Sequence, residues 1–227
     1  MLLGSQAIAL LRDKHAAVFG LGGVGGHTAE ALARGGVGML TLVDGDSVAL
    51  SNLNRQIVAT RDTLGMRKTE AMKARLLSIR PDMIIRCLDL FIHKHNVHLA
   101  DISACDYIID AIDTVTAKMA LANASREACL PFISVMGAGN RLDPCALRIA
   151  DLSLTSGCPL ARVMRRELKK QYGITHVKVV CSAERPIKPE ETTRQPGSVS
   201  FVPGVAGMIA AGTAIMDMLN GTGAVPG

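Results

Sequence analysis

The 227-residue chain contains no tryptophan, and aromatic residues make up only 3% of it. Proteins that bind single-stranded nucleic acids commonly stack the bases on aromatic side chains. A stacking platform of this kind is therefore not expected here. If the chain binds RNA, positive charge and a shaped pocket must supply the recognition, and the net charge of +5 suits an anionic partner.

The chain also lacks paired cysteines. Its six cysteines are widely spaced, and no two of them form a CxxC motif: Cys87, Cys105, Cys129, Cys145, Cys158 and Cys181. A zinc ribbon needs two such motifs to provide four thiolate ligands, so a structural zinc site of this kind is excluded. We predict that most of the cysteines are small residues of the core.

A secretory signal is missing as well. The first residues, MLLGSQAIALLRDKH, lack the basic start, long apolar centre and cleavage site of a signal peptide, which predicts a cytoplasmic protein. Residues 201–219 are apolar and nearly long enough to cross a bilayer, but they include Pro203, Gly204 and Asp217 and have no basic flanking anchors. We predict a buried core helix there and no stable membrane insertion.

The apolar segments that are present alternate with helical patterns. Strand-like runs such as AAVF at 16–19 and MLTLV at 39–43 are followed by helical segments, which is the pattern of βαβ units. Continuous apolar runs are typical of a parallel sheet that is covered on both faces. We predict a doubly wound, Rossmann-like α/β fold with a mostly parallel sheet. After Gly139 the alternation of strand and helix patterns changes. We predict that further strands and helices, with a crossover loop at 183–200, form a C-terminal extension.

A glycine-rich turn, GLGGVG, follows the first predicted strand and opens a helix. Such glycines let a phosphate approach backbone N–H groups at the positive end of the helix: Gly20, Gly22, Gly23 and Gly25. They can instead serve only to pack the helix closely on the strand. Asp44 comes nineteen residues after Gly25 and can accept hydrogen bonds from ribose hydroxyls. NAD and ATP both contain ribose, so the turn and Asp44 do not choose between them.

The polar run after Asp44 favours ATP. An NAD enzyme has no obvious need for it, whereas transfer of a nucleotidyl group needs fixed cations where charge develops on the α-phosphate. Arg55 offers a planar fork of donors for phosphate oxygens, and Lys68, near the start of the next helix, adds a second charge. Either residue can instead be an ordinary surface residue. The nucleotide contacts that we predict in this region are Asp46, Asn52, Asn54, Arg55, Gln56 and Lys68.

A further acid follows the fourth predicted strand, in YIIDAIDT. Ligands of open α/β sheets lie at the carboxyl ends of the strands, and a carboxylate there can hold Mg²⁺ against a triphosphate. We assign this role to Asp113, because Thr114 after it is a suitable helix N-cap, and we also count Thr114 as a nucleotide contact. Asp110 is the alternative, and we expect it to be a buried, hydrogen-bonded partner.

Four motifs in this order, GLGGVG, DGDSVALSNLNRQ, GMRKTEAM and DAIDT, resemble the ubiquitin-activating-enzyme-like adenylating family. That family, also called ThiF/MoeB/HesA, includes the activators of sulfur-carrier proteins in thiamine and molybdopterin synthesis. The second half, with SVMGAGNRLDP, DLSLTSGCPLARVMRREL, VKVVCSAERPIKP and GSVSFVPGVAGMIAA, is similar to the branch that acts on threonylcarbamoyladenosine in tRNA. The resemblance implies one adenylating domain over 1–227, with a nucleotide-binding half at 1–139 and substrate and dimer elements at 140–227.

This resemblance also implies an activity. The branch uses ATP and Mg²⁺ to adenylate the threonyl carboxylate of the modified adenosine beside the anticodon; the carbamoyl portion then attacks, AMP leaves and a ring closes with net loss of water. Carried over by motif, Arg55, Lys68 and Asp113 are catalytic, Asp113 serves Mg²⁺, and the glycine turn with Asp44 holds ATP. The resemblance implies a homodimer, needs no covalent intermediate on Cys158 or Cys181, and leaves a bound monovalent cation open.

Three other functions compete with this reading. The first is adenylation of the C-terminus of a small sulfur-carrier or ubiquitin-like protein, which the missing CxxC pairs disfavour. The second is an NAD-dependent oxidoreductase, which tight NAD binding without ATP binding would support. The third is a non-catalytic nucleotide sensor or adaptor, which the joint presence of Arg55, Lys68 and Asp113 disfavours.

A basic segment at 162–188 is the candidate tRNA surface. Eight basic residues stand there against Glu167 and Glu184: Arg162, Arg165, Arg166, Lys169, Lys170, Lys178, Arg185 and Lys188. Contacts to phosphates supply much of the affinity of nucleic-acid-binding proteins, so such a surface suits a tRNA partner. The alternative is an ordinary solvated helix face.

Overall fold

The computed structural model describes residues 2–187 and 197–220 and contains a seven-stranded sheet. Its strands are β1 (His15–Phe19), β2 (Met39–Val43), β3 (Ile84–Leu88), β4 (Tyr107–Asp110), β5 (Phe132–Val135), β6 (Leu147–Asp151) and β7 (Lys178–Ser182). The order across the sheet is β3-β2-β1-β4-β5-β7-β6. Neighbouring strands are parallel except β6 and β7, which are antiparallel. The predicted doubly wound, mostly parallel α/β fold is confirmed.

Six α-helices accompany these strands in the described part of the chain: α1 (Gly4–Arg12), α2 (Gly25–Gly35), α3 (Lys68–Ile79), α4 (Val115–Glu127), α5 (Pro159–Tyr172) and α6 (Phe201–Asn220). Local signals explain several of their ends. Pro159 occupies the first turn of α5, where its missing N–H costs nothing, while Gly36 and Gly173 end α2 and α5 in the left-handed conformation. All five residues of β1 are buried, as its continuous apolar run predicts.

Helix α6 packs closely on α2. The close approach uses Gly207, where an added Cβ would lie 2.5 Å from Val24 O, and Thr28 Oγ1 donates to Gly207 O at 3.1 Å. Among the described residues, α6 is the one helix long and apolar enough to cross a membrane by length and composition, and 61% of that stretch is buried within the protein. Many of its residues are small and buried, so α6 is a core helix, as predicted.

The carboxyl ends of the central strands bring distant segments of the chain together. Gly20 N donates to Val43 O at 2.8 Å, and Ala111 N donates to Phe19 O at 2.8 Å. The glycine turn after β1 therefore lies between the segment after β2 and the segment after β4. The crossover loop predicted at 183–200 is described only at its two ends, and Lys188 lies outside the described residues.

Candidate active site

The glycine turn combines close packing with open space. Gly20 has a φ of +86°, and a Cβ at Gly25 would lie 1.7 Å from Gly20 O, so the fold itself requires both glycines. A Cβ at Gly23 would press on Pro203 Cβ at 3.1 Å. Gly22 differs, because a Cβ there would meet only Gln56 Nε2, at 3.9 Å. The turn therefore leaves room beside Gly22 and in front of the N-terminus of α2, where helix N–H groups favour a phosphate.

Asp44 ties this turn to the end of β2. Its Oδ2 accepts a hydrogen bond from Leu21 N at 2.6 Å, and its Oδ1 accepts one from Asp46 N at 2.8 Å. The side chain is buried, with 9% of the residue exposed. A carboxylate oxygen can accept more than one hydrogen bond, so both oxygens retain capacity for a ribose hydroxyl.

Lys68 places a buried cation beside the same acid. It is the first residue of α3 and is 5% exposed. Its Nζ lies 2.7 Å from Asp46 Oδ2 and 3.8 Å from Asp44 Oδ1. The structure thus brings together three of the predicted nucleotide contacts at the end of β2.

The polar run after Asp46 divides into two groups. Asn52 is buried, and its Oδ1 accepts from Ala49 N at 3.0 Å, which supports the short 3₁₀ helix at 50–52. Asn54 and Arg55 are joined, since Arg55 Nη1 donates to Asn54 Oδ1 at 2.8 Å and to Ser51 O at 2.9 Å. Asn54 Nδ2 donates to Ser198 O at 3.0 Å.

Gln56 carries an unsatisfied atom. Its Oε1 is enclosed and has no hydrogen-bond partner among the described residues, and its Nε2 faces Gly22. Oε1 is thus an exception to the rule that buried polar atoms are hydrogen-bonded. Nε2, beside the open space at Gly22, is a donor that suits a phosphate oxygen, so these residues fit a bound nucleotide.

The two acids after β4 have different surroundings. Asp110 is fully buried, and its Oδ2 accepts from Ser134 Oγ at 2.6 Å and from Lys118 Nζ at 3.0 Å. Asp113 is exposed, and its Oδ1 accepts from Thr114 Oγ1 at 3.3 Å. Thr114 stands at the N-cap position of α4, as predicted, although its side chain makes no capping hydrogen bond to the helix. The predicted division between a buried Asp110 and an available Asp113 is confirmed.

No group of three or more His, Cys, Asp or Glu residues suited to a metal ion occurs among the described residues. A magnesium ion at Asp113 would therefore draw its other ligands from the nucleotide and from water, as this ion commonly does. The exposed carboxylate beside the glycine turn fits that arrangement.

His27 is a part of the site that the sequence did not indicate. It lies early in α2, donates a hydrogen bond to the carbonyl of Arg55, and is 3.4 Å from a Cβ added at Gly204 of α6. Burial lowers the pKa of His27, and the nearby carboxylate of Glu30 opposes this shift. His27 therefore supports the backbone of Arg55 from the side of α2.

The six cysteines differ in burial. Cys105, Cys158 and Cys181 are buried and Cys87 packs half-buried against the core, as predicted for most of the six, whereas Cys129 and Cys145 are exposed. Burial raises the pKa of the Cys181 thiol, which disfavours the reactive thiolate.

Only some of the basic residues in the segment at 162–188 are exposed on the surface. Four exposed residues follow one face of α5: Arg162, Arg166, Lys169 and Lys170. Arg165 instead turns inward, and its Nη1 donates to Thr155 O at 2.8 Å. Lys178 is paired with Asp217 at 2.5 Å. Arg165 therefore does not belong to an exposed tRNA surface, and Lys178 has its charge partly neutralised.

Comparison with known proteins adds to this geometry. A tRNA threonylcarbamoyladenosine dehydratase of Bacillus subtilis (strain 168) is 38% identical over 235 residues, which cover 97% of this chain and 92% of that protein. The crystal structure of the E. coli enzyme TcdA in complex with ATP superimposes with a TM-score of 0.92 at 36% identity and covers 97% of this chain and 91% of that one. The adenylyltransferase and sulfurtransferase MOCS3 of Drosophila willistoni is 33% identical over 61% of this chain and 29% of its own length.

The family assignment follows from the whole chain. Residues 1–225 match the model of the ThiF family, so the match includes both the glycine turn and the C-terminal extension. The chain belongs to the ThiF family.

Proposed function

We propose that this protein uses ATP to adenylate the threonyl carboxylate of threonylcarbamoyladenosine in tRNA and then closes the ring. One observation carries the proposal: the likeness to the B. subtilis dehydratase extends over 97% of this chain and 92% of that protein. The likeness includes the C-terminal extension, to which we assign the substrate elements. The substrate named for that relative is therefore the best candidate here.

The residues at the carboxyl ends of β1, β2 and β4 supply the groups that this chemistry needs. Backbone N–H groups of the glycine turn and the N-terminus of α2 bind the phosphates, and Asp44 accepts hydrogen bonds from the ribose. Arg55 and Lys68 stabilise the negative charge that develops on the α-phosphate. Gln56 Nε2, which faces Gly22, donates a hydrogen bond to a phosphate oxygen. Asp46 holds Lys68 in place, and Asn54 holds Arg55.

The reaction balances as two steps. A carboxylate oxygen of the threonyl group bonds to the α-phosphorus of ATP, and pyrophosphate leaves. The carbamoyl portion then attacks the activated carbonyl carbon and loses a proton, and AMP leaves with the former carboxylate oxygen. The physical reason for the first step is that hydroxide is a poor leaving group, whereas AMP is a good one.

We assign the Mg²⁺ that accompanies ATP to Asp113. When bound, the ion neutralises charge on the phosphates. Asp113 suits it because its carboxylate is exposed and its only bond among the described residues is the long one from Thr114. Asp110 is unsuited, because its carboxylate already accepts hydrogen bonds from Lys118 and Ser134.

The tRNA is expected to lie along α5. Arg162, Lys169 and Lys170 are exposed there and pair with no carboxylate among the described residues. Ionic contacts to phosphates give affinity without requiring aromatic stacking. A tRNA substrate also accounts for the cytoplasmic location that we propose.

A homodimer is also part of the proposal. Exposed apolar side chains of α6 and the edge strand β6 lie together, with Ile149 50% and Met216 37% exposed. An apolar face of this kind is costly in water and suits a second copy of the chain.

The competing function is adenylation of a small carrier protein. It is favoured less because the likeness to MOCS3 covers 61% of this chain and 29% of that protein. The deciding experiment incubates the protein with ATP, Mg²⁺ and tRNA that carries threonylcarbamoyladenosine. Mass spectrometry of the digested nucleosides should find the modified nucleoside lighter by one water. An unchanged nucleoside, with ATP–pyrophosphate exchange that depends on a carrier protein, would favour the competing function.

A further inference from the structure

Lys118 is fully buried, which is unusual for a lysine. It is the fourth residue of α4, and 0% of it is exposed. An ammonium group has three N–H donors, and here each has an acceptor: Asp110 Oδ2 at 3.0 Å, Ser134 Oγ at 3.1 Å and Val135 O at 2.8 Å. Lysines are almost never buried so completely unless they are paired, and replacement of a buried ion pair by apolar residues is often neutral or stabilising. Stability alone therefore does not account for this pair.

Asp110, the partner of Lys118, uses its two carboxylate oxygens differently. Oδ2 is held by Lys118 and by Ser134 Oγ, which donates to it at 2.6 Å. Oδ1 accepts from the backbone N–H of Ile112 at 3.1 Å. Ile112 directly precedes Asp113, the residue to which we assign Mg²⁺. The carboxylate of Asp110 therefore joins the buried lysine to the turn that carries Asp113.

This turn, at 111–113, lies against the glycine turn after β1. Ala111 N donates to Phe19 O at 2.8 Å, and a Cβ added at Gly20 would lie 2.9 Å from Ala111 O. Two segments in such close contact can keep it only over a narrow range of relative positions. A shift of the turn would therefore move Asp113 relative to the glycines where we place the phosphates.

Lys118 also holds the end of a neighbouring strand. Ser134 and Val135 are the last two residues of β5, which pairs with β4 in the sheet. The three acceptors of the ammonium thus come from the carboxyl ends of two adjacent strands, the edge at which ligands of open α/β sheets lie. Because Lys118 is fully buried, it acts there through the residues that it holds and not through contact with a ligand.

We propose that Lys118 is a positioning residue for the Mg²⁺–ATP complex. Together with Ser134 it holds the carboxylate of Asp110 in one orientation. In that orientation Oδ1 keeps the N–H of Ile112, and the turn keeps Asp113 beside the phosphates of ATP. This inference rests on the proposed function, from which it takes the assignment of Mg²⁺ to Asp113. Without the cation, the carboxylate of Asp110 can rotate, and the turn loses its anchor.

The first test measures the turn itself, in the protein without tRNA. Lys118→Met keeps the length of the side chain and removes the cation. Hydrogen–deuterium exchange should then be about tenfold faster or more at the amide of Ile112, because local opening of the structure governs exchange. Tyr107→Phe is the matched control. It removes a hydrogen bond of 2.6 Å to Asp217 at the other end of β4, and it should keep the wild-type exchange of Ile112.

The second test measures ATP binding by isothermal titration calorimetry, once with Mg²⁺ and once with a chelator in its place. In wild type, Mg²⁺ should tighten the binding of ATP. Lys118→Met should lose about tenfold of that gain, as expected when one carboxylate ligand is displaced. Its ATP affinity in the chelator should equal that of wild type, whereas a general loss of structure would weaken binding under both conditions.

Two further variants separate positioning from the stability of the buried pair. Lys118→Met alone leaves the charge of Asp110 buried without a cation, which destabilises the fold. Asp110→Asn combined with Lys118→Met removes both charges, and the amide can donate to Ser134 Oγ while its oxygen accepts from Ile112 N. This double variant should recover the slow exchange and the effect of Mg²⁺. Ser134→Ala keeps both charges and should show the same two losses in smaller measure, so it tests the proposal even if Lys118→Met does not fold.

Three results would contradict the role of Lys118. The first is a wild-type exchange rate and a wild-type effect of Mg²⁺ in Lys118→Met, or in Ser134→Ala if Lys118→Met does not fold. The second is a folded double variant that remains as impaired as Lys118→Met. The third is an ATP affinity of wild type that does not depend on Mg²⁺. If wild type binds Mg²⁺–ATP as expected but leaves the modified tRNA unchanged, the proposed function fails and the role of Lys118 in positioning Asp113 stands.

Discussion

Lys68 Nζ lies 2.7 Å from Asp46 Oδ2 and 3.8 Å from Asp44 Oδ1, so one buried cation is shared by two acids at the end of β2. Asp44 is tied by backbone N–H groups, whereas the side chain of Asp46 is 54% exposed. Asp46 can turn toward water when a phosphate arrives, and Asp44 cannot without releasing the glycine turn. The pair of acids therefore holds Lys68 ready for an anionic ligand.

Replacement of Lys68 by alanine should lower the rate of adenylation by about 100-fold or more, because a fixed cation at the developing charge is lost. The measurement is AMP release in the presence of modified tRNA, with circular dichroism to confirm folding. Lys73→Ala, in the same helix and partly exposed, is the control and should keep the wild-type rate. A rate for Lys68→Ala near that of Lys73→Ala would refute the assigned role.

Two glycines of the turn should respond differently to the same substitution. Gly25→Ala forces a Cβ to within 1.7 Å of a carbonyl oxygen and should destabilise the fold by about 3 kcal/mol or more, since overpacking of this kind is costly. Gly22→Ala meets only the end of Gln56, so its melting temperature should stay close to wild type while its KM for ATP rises. Thermal denaturation and ATP titration measure the two effects. Equal ATP affinity in Gly22→Ala and wild type would show that phosphate does not approach this glycine.

Asp113 should control the requirement for magnesium. Asp113→Asn removes the charge but keeps the size, so we expect it to raise the Mg²⁺ concentration for half-maximal adenylation by about tenfold. Asp13→Asn, at an exposed aspartate before β1, is the control. A magnesium titration of AMP release measures both variants, and identical curves would remove Asp113 from the metal site.

His27 should make stability depend on pH. Burial lowers its pKa below the usual 6.5, with Glu30 opposing the shift and Arg75 adding to it. As pH falls below 6.5, the unfolded chain takes up a proton before the folded protein does, so the free energy of unfolding decreases in this range. Above this range, the neutral His27 makes its full contribution to stability.

His27→Gln keeps a donor for the carbonyl of Arg55 but cannot titrate, and it should flatten this part of the pH profile. His95→Gln, at an exposed histidine, should leave the profile as in wild type. Urea denaturation at a series of pH values is the measurement. The explanation is wrong if wild type and His27→Gln lose the same free energy of unfolding below pH 6.5.

The exposed face of α5 should carry ionic contacts to tRNA. Lys169→Ala should weaken tRNA binding and reduce the slope of log affinity against log salt by about 1, as expected for one lost phosphate contact. Arg165→Ala is the contrasting variant, because Arg165 bonds to Thr155 and should affect stability more than the salt slope. Filter binding at several salt concentrations measures the slope. An unchanged slope in Lys169→Ala would place the tRNA elsewhere.

The fold could be predicted well because its signals are local. The apolar runs of β1 and β2 and the glycine turn between them occur within one stretch of sequence, and the structure has them as predicted. The division between buried Asp110 and exposed Asp113 was also accessible, because strand ends and helix starts have recognisable patterns.

Other features depend on contacts between distant segments, and the sequence did not predict them. Arg165 faces inward because Thr155 carbonyl and hydroxyl oxygens lie beneath it. Arg141 is buried, although arginine is usually exposed, and His27 meets Gly204 of α6. Helical periodicity and composition contain no information about such neighbours.

The most direct test of the central claim follows an oxygen atom. The threonyl carboxylate of the modified tRNA is labelled with heavy oxygen, and the protein is supplied with unlabelled ATP and Mg²⁺. If the carboxylate is adenylated, ring closure must expel AMP that carries one labelled oxygen, and the nucleoside must lose the mass of one water together with that label. Unlabelled AMP, or ADP with labelled inorganic phosphate, would contradict adenylation of the threonyl carboxylate.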